Sequence, residues 1–449
     1  MLIGCILFAA CSDDLSPLQP STTEDPSGRS KPRTTPGLLF DGYFVSLHGM
    51  SITRVFGQHD EKTLAQLQDV AQRAERVALM ADGHMGYVMP IGGVAAYREK
   101  ASVVGVGFDI ACGNAAIRTD RRVNDYTRED LSRIADEIQR EISFGIGRTC
   151  RAADAPDDHP LFESAAWDAV PGKHERDTLK AKARSQLGTV GSGNHYVDVF
   201  ADETGAIWVG VHFGSRGLGH TVASGFLALG QGREWKARVP ETEVLLDLKT
   251  PLGDAYWSLM NLAGDYAYAG REWVARKVVS ILGGRELELV HNHHNFAWRE
   301  THDGEDFVVV RKGATPAFPG QRSFVGGSMG DNSVILEGAS AGNEDQRAAL
   351  FSTVHGAGRV MSRTEARGKI NWKTRQVKSP GKISWDMLRD WVGAKGVILR
   401  GGGPDESPHV YRRLPDVLAA QGDTVRVLHT LTPLIVVMAG ENEFDPYKE

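Results

Sequence analysis

Apolar residues recur at helical spacing through EKTLAQLQDVAQRAERV (61–77), which predicts an amphipathic helix. The run that follows, ERVALMADGHMGYVMPIGGVAAY, reads as a buried strand, a glycine-rich turn and a second strand. TREDLSRIADEIQREI (127–142) opens with Thr127 and Asp130 three apart, the spacing of a capping box, and continues as an amphipathic helix. AIWVGVHFGSRGLGH (206–220) predicts a strand entering a polar, glycine-rich loop, and AYWSLMNLAGDYAYAGREWVARKVVSIL (255–282) is the longest helical stretch. RELELVHNHHNF alternates like a strand and ends in three histidines. DFVVVRKGATPAF, SFVGGSMGDNSVILEG and KGVILRGGG are further strand-and-loop units. The pattern predicts a mixed α and β fold, α+β in class, with polar residues and glycines massed at strand ends, where sites are commonly carried. No linker composition interrupts the chain after residue 40. The expected organisation is therefore a segment 1–38, one large domain over 39–440, and a tail 441–449.

Composition changes this picture little. A chain of 449 residues with 41% hydrophobic and 24% charged residues can bury a large core. Four cysteines are too few for a disulfide framework at this length, and nothing demands an oxidising compartment. The opening MLIGCILFAAC resembles a lipoprotein signal in its Ala-Ala-Cys, yet it lacks a basic leading region. The expectation is an upstream-extended or non-native start on a cytoplasmic protein, with export as the alternative. No other run approaches the ~18 apolar residues of a membrane span, so no membrane partner is expected. The net charge of −6 argues against a uniform nucleic-acid coating. From 355 to 382, however, Arg359, Arg363, Arg367, Lys369, Lys373, Arg375, Lys378 and Lys382 stand against Glu365 alone, with Trp372 available for stacking. That stripe is either a phosphate-binding surface or a solvated charged face.

The candidate chemistry lies just after the strand-like runs. Asp109 and Cys112 in VGFDIACG, Asn194 and His195 in GSGNHYVDV, His212 in GVHFGSRG, and the histidines of HNHHN offer carboxylate, thiolate and imidazole donors. Singly, Asp109 reads equally as a turn residue, Cys112 as a small buried hydrophobe, and His195 and His212 as core histidines. Their separation excludes a zinc-finger spacing, so only the fold can assemble them. A cysteine thiolate has several lone pairs and can bridge two cations. In FSTVHGAGRVMSR, glycines beside His355 allow backbone or a phosphate to come close, and arginines suit phosphate oxygens.

Taken in order, GVGFDIACG, GSGNHYVDV, VHFGSRGLGH, HHN, RKGA, GSMG and HGAGRVMSR resemble the RtcB family of RNA ligases across roughly residues 40–440. The resemblance implies a distinctive mixed α/β fold and GTP-dependent joining of RNA ends with two Mn²⁺ ions. It implies that Asp109, Cys112 and His195 hold one metal, and that Cys112 bridges to a second held by His212 and His294. His294 is singled out because it directly precedes Asn295, as the family's ligand precedes an asparagine; His291 and His293 become neighbours. His355 corresponds to the nucleophile that forms a histidine–GMP intermediate. Asn194, His195, Asp198, His294, Asn295, Gly327, Ser328, Met329, Ser333 and His355 with Gly356, Ala357 and Gly358 fall at the GMP-contacting positions. Arg359 and the basic stripe become candidates for RNA phosphates. The implied substrates are RNA 3′-phosphate or 2′,3′-cyclic phosphate ends and 5′-hydroxyl ends, in repair or tRNA splicing, with room for a helper protein.

Two departures stand out. Asp198 occupies a position where the family usually carries the longer Glu, and Ala439 stands where a guanine-contacting Lys is normal, with Lys448 as a distant substitute. Manganese follows from the resemblance alone, since sulfur and nitrogen donors intrinsically favour zinc. The competing readings are a dinuclear metal phosphoesterase, which needs neither His355 nor GTP, and a non-catalytic RNA-binding paralogue.

Overall fold

A computed structural model of the chain describes residues 51–370, 374 and 377–440. The expected segment 1–38, the tail 441–449 with Lys448, and Trp372, Lys373 and Arg375 of the basic stripe lie outside the described residues.

Two sheets carry the architecture, and helices are mixed among their strands, as the hydrophobic pattern implies. The larger sheet has eight strands. Seven run in the order Arg322–Val325, Ser333–Gly338, Val425–Met438, Tyr196–Ala201, Ala206–Phe213, Gly113–Arg122 and Glu286–His293, and Ile398–Arg400 adds beside Val425–Met438. The smaller runs Ile52–Val55, Arg76–His84, Ile91–Tyr97, Glu305–Lys312, Asn295–His302. Ala206–Phe213 is buried at every position, which is why its sequence is a near-continuous apolar run without alternation. The long helix Pro251–Ile281 covers it. Its start is set by Pro251 and by Thr250, whose hydroxyl accepts from Gly253 N at 3.2 Å. Val274, Ala275 and Val278 join Val209, Val211 and Ile117 in one apolar cluster. No helix among the described residues is long and apolar enough to cross a membrane.

Two expectations are corrected. The first helix spans Glu61–Ala71 and does not reach 77, because Val77, Ala78 and Leu79 are fully buried in the strand Arg76–His84. Tertiary burial overrides the helical period there. The polar loop expected after Phe213 is the helix Arg216–Gly230. Its glycines disguise it, but they are required by contact: a Cβ on Gly219 would lie 1.9 Å from Ser215 Oγ.

The site is placed by register. Tyr196 pairs with His212, His212 with Asn114, and Asn114 with Asn292, so one row crosses four strands. Cys112 precedes Gly113 and His195 precedes Tyr196 at this same sheet end. His294 falls between Glu286–His293 and Asn295–His302, where the chain leaves the larger sheet for the smaller.

The helix Arg128–Glu141 has the expected capping box, with Asp130 N donating to Thr127 Oγ1 at 3.1 Å and Thr127 N to Asp130 Oδ2 at 2.9 Å. Thr127→Ala should therefore cost about 1 kcal/mol of stability. Urea unfolding of the two chains measures it, and a difference near zero would show that the cap contributes nothing.

Candidate functional site

A cavity of about 270 Å³ opens at the junction of the sheets, walled by Asp109, Cys112, Asn194, His195, Asp198, His212, His294, Asn295 and the turn 355–358. Ligand atoms of Cys112, His212 and His294 lie within 4.8 Å of one another, and so do those of Asp109, Cys112 and His195. Cys112 belongs to both groups. Its Sγ is 3.7 Å from Nε2 of His195 and 3.7 Å from Nε2 of His212, and His195 Nε2 is 3.1 Å from Asp109 Oδ2.

Local backbone makes this convergence possible. Ala111, inside the Asp109–Cys112 turn, has φ 60°, a left-handed conformation unusual for a residue with a side chain. Three bonds hold it: Cys112 N donates to Asp109 O at 3.0 Å, Ala111 N to Asn295 O at 2.7 Å, and Arg271 to Ala111 O at 2.9 Å. Glycines supply the remaining room. A Cβ on Gly214 would sit 2.3 Å from Asp109 Oδ1, and one on Gly191 would sit 2.2 Å from His195 Nδ1.

Neighbouring amides settle which imidazole nitrogens are available. His212 Nδ1 lies 2.6 Å from Asn114 Oδ1 and so carries the hydrogen, leaving the Nε2 lone pair toward Cys112. His294 Nδ1 is 3.2 Å from Asn295 Oδ1, and its Nε2 is buried without a hydrogen-bond partner. Burial, reinforced by neighbouring positive groups, holds His212 and His294 well below the usual histidine range, so both are neutral donors. Burial and then the Asp109 charge push the Cys112 thiol up. A cation between these groups reverses that push and satisfies the orphaned nitrogen. The donor set fits a divalent metal.

His291 and His293 are excluded from the cluster by strand alternation. Both turn toward the long helix, where Arg271 donates to His291 Nε2 at 2.9 Å and approaches His293 Nδ1 at 2.8 Å. Tyr268 stacks on His293 with ring centroids 3.8 Å apart. His294, one residue on, faces the cavity.

His355 enters the cavity from the turn after Ser352–Val354, its ring centroid 4.9 Å from that of His294. Beneath it is Asp82, which sequence reasoning passed over within a glycine-rich turn. Asp82 Oδ2 accepts from the backbone N of His355 at 3.0 Å and of Gly356 at 3.2 Å. It also lies 2.6 Å from His355 Nδ1, though not in line for a straight hydrogen bond. Burial opposes ionisation of Asp82, but the His355 charge and hydrogen bonds outweigh it and hold the carboxyl below its ordinary value. Arg412 donates to the carbonyls of Asp82 and Gly83 at 3.0 and 3.1 Å, fixing the turn. Gly358, at φ 73°, packs where a Cβ would be 2.4 Å from Asp82 O. His84, also missed, lines the same cavity and is lowered to about 4 by burial.

The remaining candidates divide. Asn194, Asn295, Gly327, Ser328 and Met329 line the cavity. Ser333 does not; its hydroxyl accepts from Gly327 N at 3.0 Å and braces the loop from behind. Asp198 is buried on the wall with one oxygen unpartnered, its carboxyl pushed well up by burial, and the Tyr196 hydroxyl nearby is also unpartnered. Ala439 is buried outside the lining, its carbonyl accepting from Gly402 N at 2.9 Å. The basic stripe turns partly inward. Arg359 and Arg363 pair with Glu406, and Arg367 lies 3.9 Å from Asp405, both acids being buried. Within the stripe, Lys369 and Lys378 are among the described cations that stay exposed.

The chain matches the family model described as tRNA-splicing ligase RtcB over residues 62–439. It is 30% identical over 385 residues to the RNA-splicing ligase RtcB of Escherichia coli (strain K12), covering 81% of this chain and 90% of that protein. It is 32% identical over 434 residues to the tRNA-splicing ligase RtcB of Thermococcus kodakarensis, covering 80% and 86%. A third relative, the tRNA-splicing ligase RtcB of Nanoarchaeum equitans, is 30% identical over 454 residues, covering 83% and 88%.

Because Asp82 is lowered in the folded chain, its stabilisation is present above the ordinary value of 3.8 and is lost as pH falls below it. Asp82→Asn should cost about 1.5–3 kcal/mol at pH 7, the worth of hydrogen bonds to a charged group. Urea unfolding at pH 7 and at about pH 3 should show that gap narrowing in acid. A gap of constant size would mean that the carboxylate charge is irrelevant.

Proposed function

The chain belongs to the RtcB family, and from that premise we propose that it is a GTP- and Mn²⁺-dependent RNA ligase. It joins RNA 3′-phosphate ends, or 2′,3′-cyclic phosphate ends after their hydrolysis, to 5′-hydroxyl ends in tRNA splicing or RNA repair. A cytoplasmic location accompanies that role, since RNA and GTP are there. The observation that carries the reading is His355 in one cavity with two ligand groups that share Cys112.

With Nδ1 of His355 against Asp82, Nε2 is the nitrogen left to attack. It bonds to the α-phosphorus of GTP as the bond to pyrophosphate breaks. An oxygen of the RNA 3′-phosphate then attacks the same phosphorus, the N–P bond breaks, and its electron pair returns to Nε2. The 5′-hydroxyl attacks the RNA 3′-phosphorus, losing its proton, and GMP leaves. Two Mn²⁺ ions, on Asp109–Cys112–His195 and on Cys112–His212–His294, would neutralise the charge that builds on phosphoryl oxygens. Gly356, which lines the cavity beside His355, gives phosphates close approach to it. With Ala439 in place of a lysine, Asp198 and Tyr196 offer unpartnered polar atoms on the wall to meet the base.

Incubation with radiolabelled GTP and Mn²⁺ should leave acid-labile label on the native chain and none on His355→Ala, whose metal content should stay nearly unchanged. Label on His355→Ala would overturn the assignment, and phosphoester hydrolysis by an unlabelled native chain would favour a phosphoesterase.

Metal counting by mass spectrometry separates the two ligand groups. Cys112→Ser should lose occupancy at both positions, whereas His212→Ala should weaken mainly one. Equal loss of a single metal in both variants would show that Cys112 does not bridge.

A further inference from the structure

A second cavity of about 650 Å³ adjoins the first, and the two share Ile91, Asp109, Asn194, His195 and Asn295 as a common wall. His355 lines only the first. A ligand in the second therefore reaches the metal-ligand cluster from a different side than a nucleotide on His355. Lys182, Arg216, Lys312 and Arg363 line this second space against Glu241 and Asp109; with Arg363 paired to Glu406 outside it, a small excess of positive charge remains to meet a polyanion.

At its edge stands Tyr87, 60% exposed, on the turn between Arg76–His84 and Ile91–Tyr97. Among the described residues an aromatic ring of that size in the open is unusual; Tyr97, Tyr256 and Tyr266 are almost wholly buried. The ring is held in place. Phe108 meets it edge-on at 6.1 Å and 85°, Phe108 in turn lies 5.7 Å from His220, and Lys312 Nζ is 5.9 Å from the Tyr87 centroid. The turn is clamped by Gln66, which donates to the carbonyls of Tyr87 and Gly86 at 2.5 and 3.0 Å and accepts from Gly86 N at 3.0 Å. A rigid, exposed aromatic beside a cationic groove is the arrangement on which single-stranded nucleic acids stack their bases.

We propose that Tyr87 is the platform on which the terminal nucleobase of an RNA end stacks as that end enters the second cavity. The inference rests on the RNA ligase reading and adds to it a residue that grips a base of the RNA end. It favours ends whose last base is unpaired, because an unpaired base is free to turn toward the ring whereas a paired one is held by its partner and its stacked neighbour.

Fluorescence anisotropy of short single-stranded RNAs on the full chain tests it. One RNA carries a 3′-phosphate and another a 5′-hydroxyl, each with or without its terminal base. Tyr87→Ala should weaken binding about 5- to 160-fold, the factor one base–aromatic stack supplies, and Tyr87→Phe should bind like the native chain. Deleting the terminal base should cost the native chain a similar factor at one of the two ends, which identifies the end, and should cost Tyr87→Ala nothing further. Native affinity in Tyr87→Ala, or a loss that persists undiminished on abasic RNA, would overturn the proposal. GTP labelling of the native chain separates the two readings. Base-dependent RNA binding without label sinks the ligase reading alone, and label without base dependence sinks the platform alone.

Discussion

The Cys112 sulfur, 3.7 Å from two imidazole nitrogens, is the contact on which the rest of the site depends. Lone pairs crowded into a buried space repel one another and lose water, so each must be held from behind. Asn114 and Asn295 hold His212 and His294 through Nδ1. Arg271, wholly buried and lowered to about 10 by that burial, ties the carbonyls of Ala111 and Phe213, next to Cys112 and His212. The eight-stranded sheet serves these groups as a rigid frame, because its register brings them to one end together.

This crowding explains features that a purely structural optimum would avoid. Ala111 occupies a left-handed conformation, and Gly191 and Gly214 give up side chains so that backbone can press on His195 and Asp109. Such backbone conformations cost about 1–3 kcal/mol where a side chain is present. The same economy governs His355, whose turn is anchored by a fully buried carboxylate that accepts two backbone N–H groups. Asp82 thereby orients the ring without sharing its cavity face.

Much of this was legible in the chain alone. Strong periods identified the helices Arg128–Glu141 and Pro251–Ile281, a continuous apolar run the strand carrying His212, and alternation the strand that ends just before His294. Motif order identified the donors Asp109, Cys112, His195, His212 and His294 as residues worth bringing together. Local periodicity and capping act between neighbours, so they survive in a linear reading. The signal failed where distant burial outweighed them, at residues 72–77 and at the glycine-rich start of Arg216–Gly230.

What only the tertiary structure decided involves residues far apart in the chain. Strand alternation against Arg271 and Tyr268 separated His294 from His291 and His293. Asp82 meets His355 across 273 positions, and Arg359 finds Glu406 across 47, so neither pairing leaves a spacing to read. Tyr87 acquires meaning only from the cavity beside it. The sequence by itself determined which chemical groups exist and which short elements carry them. Sheet register and burial, which act across the whole chain, determined which of those groups face one another.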